Sequence, residues 1–206
     1  MANTTFNGPV RSENGFQMVS KNASTGAVTV TSGDKMANEA TASAGIEGTA
    51  AVYVTQVNRL KSDVTTNVNI VKTTIMIDLT GLKDGGTAGD IIGKDGSGVA
   101  FIGKVTTANQ GTVFGVTMTC LETPAGGSTD IDLFSATEGT GVNDTAIGDL
   151  TETQIINAGA ASAGTVVAGG DIAADQFLYL VSQGTGDATY TAGRFLIEIT
   201  GFDAAS

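Results

Sequence analysis

The sequence predicts an all-β protein, an antiparallel jelly-roll-like sandwich preceded by an extended N-terminal arm. Three observations lead there. From Ala50 onward apolar residues recur with a period of two in run after run, the mark of strands with one buried side. Gly-rich breaks at 84–98, 124–129, 139–148, 157–170 and 183–193 separate the runs. The chain of 206 residues holds 29 Gly but only 2 Pro, so its turns rest on residues that accept positive φ. No helical crossover pattern lies between the runs, which disfavours a parallel α/β fold, and no solenoid period is present.

Taken in order, residues 1–33 read as the arm. Turn formers recur at Asn7-Gly8-Pro9, Glu13-Asn14-Gly15 and Thr25-Gly26, with one short alternating run, Ala27-Val28-Thr29-Val30. So few apolar residues predict a segment that orders on a partner or on its own oligomer. Residues 34–47 contain Ala, Met, Lys and Glu behind Asp34 as an N-cap, which predicts a short helix. Val52, Val54 and Gln56 then oppose Tyr53, Thr55 and Val57. Ile75, Ile77 and Leu79 face one way, and Thr74, Met76 and Asp78 the other, until Gly81 to Gly86 break the run.

The pattern continues at 99–105, where Val99, Phe101, Gly103 and Val105 alternate with Ala100, Ile102 and Lys104. Phe114, Val116, Met118 and Cys120 share one side of the following run. Ile131 and Leu133 alternate with Asp130 and Asp132, Phe177 to Val181 reads as covered on both faces, and Phe195, Ile197 and Ile199 alternate with Leu196, Glu198 and Thr200. The predicted body spans 73–206 and holds about eight strands, the number in a jelly roll. Residues 1–72 form the predicted arm and extension.

Composition narrows the function. Ten Lys+Arg against 21 Asp+Glu give a net charge of -11, so binding of nucleic acid through counterion release is disfavoured. The charge is uneven: basic and acidic residues balance over 1–104, whereas 105–206 carries Arg194 alone against all the remaining acids. No stretch reaches the roughly 20 apolar residues of a membrane span. The start of the chain lacks a basic n-region and apolar run, which predicts a product made and used without secretion.

The chain has no His, which removes imidazole bases and ligands, and its one Cys supplies neither a disulfide nor a thiolate cluster. These facts predict a non-enzyme without a cofactor. Cys120, with Glu122 near it, lacks a neighbouring cation to hold a thiolate, so a buried thiol is the favoured reading over a nucleophile. Asp84 to Asp90, followed by Asp95-Gly96-Ser97-Gly98, offers oxygen ligands but not the EF-hand spacing, so turn formation competes with Ca²⁺ binding. Asp130 and Asp132 share a strand side and read as a solvated pair rather than a catalytic one. Asp144-Thr145-Ala146 lacks the hydrophobic strand of an aspartic protease. Gly139-Thr140-Gly141 and Gly184-Thr185-Gly186 lack the strand, helix and Lys of a phosphate loop. Phe177, Tyr179 and Phe195 read as core residues before a stacking platform.

Three segments carry a resemblance: Met1 through Phe16, Gly81-Leu82 through Asp90-Ile91-Ile92-Gly93, and Cys120-Leu121-Glu122-Thr123-Pro124-Ala125-Gly126-Gly127 with Asp130-Ile131-Asp132-Leu133. Their wording resembles small virion proteins of tailed phages, marine ones especially, that decorate or cement capsids. The resemblance implies a jelly-roll body, a homotrimer, the major capsid protein as partner, and a place on the outer capsid surface after synthesis in the host cytoplasm. It implies no nucleic-acid, membrane or cofactor partner. In an arm that docks on such a shell, Phe6, Pro9, Arg11 and Phe16 are the predicted anchors, with Arg11 suited to a carboxylate. A host-recognition or fibre-tip module is the competing reading, and a two-carboxylate glycosidase a third.

Overall fold

The computed structural model describes residues 18–21, 28–32, 43, 45–46, 51–58, 68–96 and 98–204. The chain divides into two compact units, Met1–Met36 and Ala37–Ser206. In the first unit β1 (Met18–Lys21) and β2 (Val28–Ser32) pair antiparallel, with Lys21 opposite Val28. Within the expected arm, two strands therefore pair in an antiparallel ladder, the second taking in Val28, Thr29 and Val30 of the short alternating run. The helix expected over 34–47 lies outside the described residues except at Ser43, Gly45 and Ile46. Gly45 and Ile46 form a turn, held by N–H bonds from Ser43 to the Phe101 carbonyl and from Gly45 to the Val99 carbonyl.

The second unit is an all-β sandwich of two antiparallel sheets. Its elements are β3 (Ala51–Asn58), β4 (Val68–Asp78), β5 (Asp90–Ile91), β6 (Gly103–Lys104), the one-turn α1 (Thr107–Gln110), β7 (Thr112–Ala125) and β8 (Ile131–Ala136). After these come β9 (Glu152–Ile156), β10 (Val166–Gly169), β11 (Phe177–Ser182) and β12 (Ala192–Ala204). The larger sheet runs β10-β7-β12-β4-β3, and the smaller runs β5-β11-β8-β9 with β6 also on β11. The boundary expected at 72/73 falls inside β4, and β3, read as part of the extension, is a full strand of the larger sheet.

Alternation explains the larger sheet. Ile75 and Ile77 of β4, Val116, Met118 and Cys120 of β7, and Phe195, Ile197 and Ile199 of β12 are all buried on its inner side. They join Leu178, Leu180, Ile131 and Leu133 of the smaller sheet in one continuous core. Each buried Ile, Leu or Phe contributes about 1.5–3 kcal/mol relative to exposure. A glycine marks where chain packs on chain: a Cβ on Gly201 of β12 would overlap the carbonyl oxygen of Gln110 at the end of α1.

The smaller sheet is covered twice. All six residues of β8 are buried, as are five of the six in β11. Ile131, Leu133 and Ser135 share a side with Leu178, Leu180 and Ser182, whereas Asp132 and Phe134 share the other with Tyr179 and Val181. That other side lies under the loops: Gly141 fits against Ile91, Tyr179 and Leu150, and Gly139 against the ring of Phe177. Phe177 itself reads as core, half-buried and tilted against Phe101 at 5.0 Å. The run 99–105 departs from its expected strand. Only Gly103 and Lys104 pair regularly, opposite Leu178 and Phe177, and Ala100, Ile102, Gly103 and Val105 are buried, so the burial does not follow a period of two.

Candidate interaction surface

The side chains that could have carried chemistry are built into the scaffold. Asp84 is 2 % exposed and its two oxygens accept the N–H of Ser128 at 2.9 Å and of Ala188 at 2.7 Å. It thus ties together three loops, at 82–86, 126–128 and 186–190. Asp90 accepts the Thr87 N–H, and Asp144, at φ 61°, accepts the Gly86 N–H. Of the Asp-Gly loop read as a competing Ca²⁺ site, Asp84 is thus engaged by backbone N–H groups of other loops and Asp90 by one within its own turn. Among the described residues no group of three or more His, Cys, Asp or Glu is placed to hold a metal ion.

Asp132 corrects the expectation of a solvated acid pair. It is 1 % exposed, because the loops cover its side of β8, and it accepts hydrogen bonds from Gln154, Gln183 and the Ala158 N–H. Asp130 is half-buried. Burial, and then the charge of Asp132, push its carboxyl above the usual range. Cys120 is buried and its thiol donates to the Glu122 carbonyl oxygen at 3.2 Å; burial pushes the thiol up. Tyr179 is core, its hydroxyl donating to the Glu138 carbonyl and accepting the Gly141 N–H. Gly139 and Gly141 of the suspected phosphate loop serve as packing surfaces for aromatic rings.

The outer face of the larger sheet is a different surface. The large apolar side chains that stand exposed among the described residues are Val166 (62 %), Phe114 (54 %), Leu121 (44 %), Met76 (40 %) and Phe202 (37 %), and all five lie on this face. Strand register aligns them. Met76 of β4 is opposite Leu196 of β12, Leu196 is opposite Thr119 of β7, and Thr119 is opposite Val166 of β10. One row thus crosses four strands. Nearer one end of the sheet, Phe202 pairs in register with Ile70, and its ring lies 6.2 Å from that of Phe114.

Phe114 was expected on the core side with Val116. A register shift between Thr200 and Gly201 in the pairing of β12 with β7 inserts an extra residue, so Val113 and Val116 turn inward while Phe114 turns out. A second shift beside Arg194 has the same effect near Glu122, whose carboxylate sits 3.6 Å from Arg194 on the outer face rather than beside the Cys120 thiol. Such bulges re-aim side chains without ending the strand.

Charge on this face is internally balanced. Lys72 pairs with Glu198, and Arg194 bridges Asp78 at 3.0 Å and Glu122. Burial works against Asp78, but its bonds to Thr80 and Arg194 hold its carboxyl below the usual range. Among the described side chains this face therefore carries two cations and three anions, whereas those elsewhere comprise three lysines and twelve acids.

Phe6, Pro9, Arg11 and Phe16 lie outside the described residues. The outer-face residues are the ones that sequence reasoning missed. Their signal was present: Met76, Leu121 and Leu196 are apolar at positions that alternation assigns to solvent. Comparison with protein-family models, with curated proteins and with solved structures found no match.

Proposed function

We propose that this chain is a virion structural protein that decorates and stabilises the outer capsid surface of a tailed bacteriophage, with a jelly-roll-like body and no turnover. The single observation that carries this reading is that the two structural units differ in charge, the acidic excess of the second lying mainly in residues 105–206. The unit Met1–Met36 holds three basic and two acidic residues, while Ala37–Ser206 holds seven basic and nineteen acidic. An acidic sandwich stays soluble and resists non-specific association. A small, nearly neutral unit on the same chain approaches a protein lattice without that repulsion. Phe6, Pro9, Arg11 and Phe16 belong to this unit and are its proposed shell contacts, with the major capsid protein as partner.

The test is co-sedimentation with undecorated heads of the tailed phage from which the sequence derives. The full chain should pellet with the heads at a fixed number per particle, and a chain lacking residues 1–36 should stay in the supernatant. A full chain left in the supernatant would reject decoration. Equal binding by both chains would move the contact from the N-terminal unit to the body.

A further inference from the structure

We propose that the outer face of the larger sheet is an interface on which a second copy of this chain seats. The five exposed large apolar side chains share one face, Met76, Leu121 and Val166 at or beside the Leu196 row and Phe114 with Phe202 nearer one end, and exposed apolar area gathered on one face in this way marks an interaction surface. The size is adequate. Four strands at about 4.8 Å spacing and nine residues at about 3.4 Å give a flat footprint of about 600 Å². With side-chain relief this approaches the roughly 800 Å² per partner of a standard interface.

Charge selects the occupant. Outside this face the described side chains that reach the surface are three lysines and nine acids, Asp84, Asp90 and Asp132 being buried, so copies meeting through those parts of the body would bring acidic surfaces together. A basic partner would be drawn to those acidic surfaces and away from this one. On the face itself the cations are already matched, Lys72 by Glu198 and Arg194 by Asp78 and Glu122. These two groups flank the Met76–Leu196 row on its two sides, at Glu198 and Arg194 of β12. A copy laid across the row therefore finds both signs of charge within reach on either side of it, with Val166 in the row, Leu121 beside it and the Phe114–Phe202 pair beyond Lys72 and Glu198 toward one end of the sheet. This inference stands apart from the proposed function, because self-association needs no capsid.

Sedimentation equilibrium of the full chain tests it. The wild type should sediment as a multiple of 20.6 kDa at micromolar concentration, with association strengthened by salt as repulsion between acidic copies is screened. Phe114→Lys should raise the dissociation constant about thirtyfold or more, the effect of removing one interface hot spot. Val166→Glu, on the edge strand β10, is the second variant in case the first disturbs the β7 bulge. Glu152→Lys, exposed on β9 of the other sheet, should leave the mass unchanged. A monomeric wild type would overturn the proposal, as would folded F114K and V166E chains that associate like the wild type.

Discussion

Asp84→Ala removes a carboxylate that joins three loops. Its oxygens accept two backbone N–H groups, from Ser128 and Ala188, whose residues are far apart in sequence. The Asp84 side chain is nearly inaccessible. Alanine provides no acceptor, and each buried donor left without a partner costs about 1–3 kcal/mol. Water reaches the two donors in part, so the lower half of that range applies to each, and the expected loss is about 2–4 kcal/mol. For a chain of this size the melting temperature should fall by about 6–12 °C. Asp84→Asn keeps one acceptor oxygen and should lie between the variant and the wild type. The assay is urea unfolding followed by circular dichroism, with an unchanged slope and a lower midpoint. A loss below about 0.5 kcal/mol in Asp84→Ala, the size of an ordinary surface substitution, would refute the claim that this carboxylate organises the loops.

Three further predictions follow from the same structure. A raised carboxyl such as Asp130 binds its proton more tightly folded than unfolded, so its ionisation opposes folding at neutral pH; Asp130→Asn should raise the urea midpoint at pH 7, and the gain should vanish near pH 3, where Asp130 is protonated in both states. Gly201→Ala should destabilise strongly, because the new methyl meets the Gln110 carbonyl, while Gly115→Ala, with open space around it, should change the midpoint by less than about 0.5 kcal/mol; melting curves of the pair check this. The Cys120 thiol should resist a thiol reagent at pH 8 in the native chain and react fully in urea, and rapid native labelling would contradict its buried, raised state.

The larger sheet was legible because its inner side follows a strict alternation. Ile75, Ile77 and Leu79, then Phe195, Ile197 and Ile199, are buried as the period of two requires. Two features broke that rule for physical reasons. Bulges at Phe114 and near Glu122 shift parity within one strand, and a one-residue insertion leaves no mark in a pattern of hydrophobicity. The smaller sheet is covered by loops on its second side, so Asp132 sits where alternation predicts solvent. Phe134, two residues on and of the same parity, is the residue whose apolar character pointed to that cover. The carboxylate networks of Asp84 and Asp132 join positions far apart in the chain, which no local spacing displays. The interaction surface was hidden for a related reason: its rows run across strands, and only register brings Met76, Leu196, Thr119 and Val166 into line.

Under the proposed function, this sandwich acts by adhesion as part of a phage head. Antibody raised against the body, applied to purified tailed-phage particles and viewed by electron microscopy, tests it most directly. Label distributed regularly over the head surface is the expected result. Particles that carry no label on the head, with the protein either absent or confined to the tail tip, would contradict it.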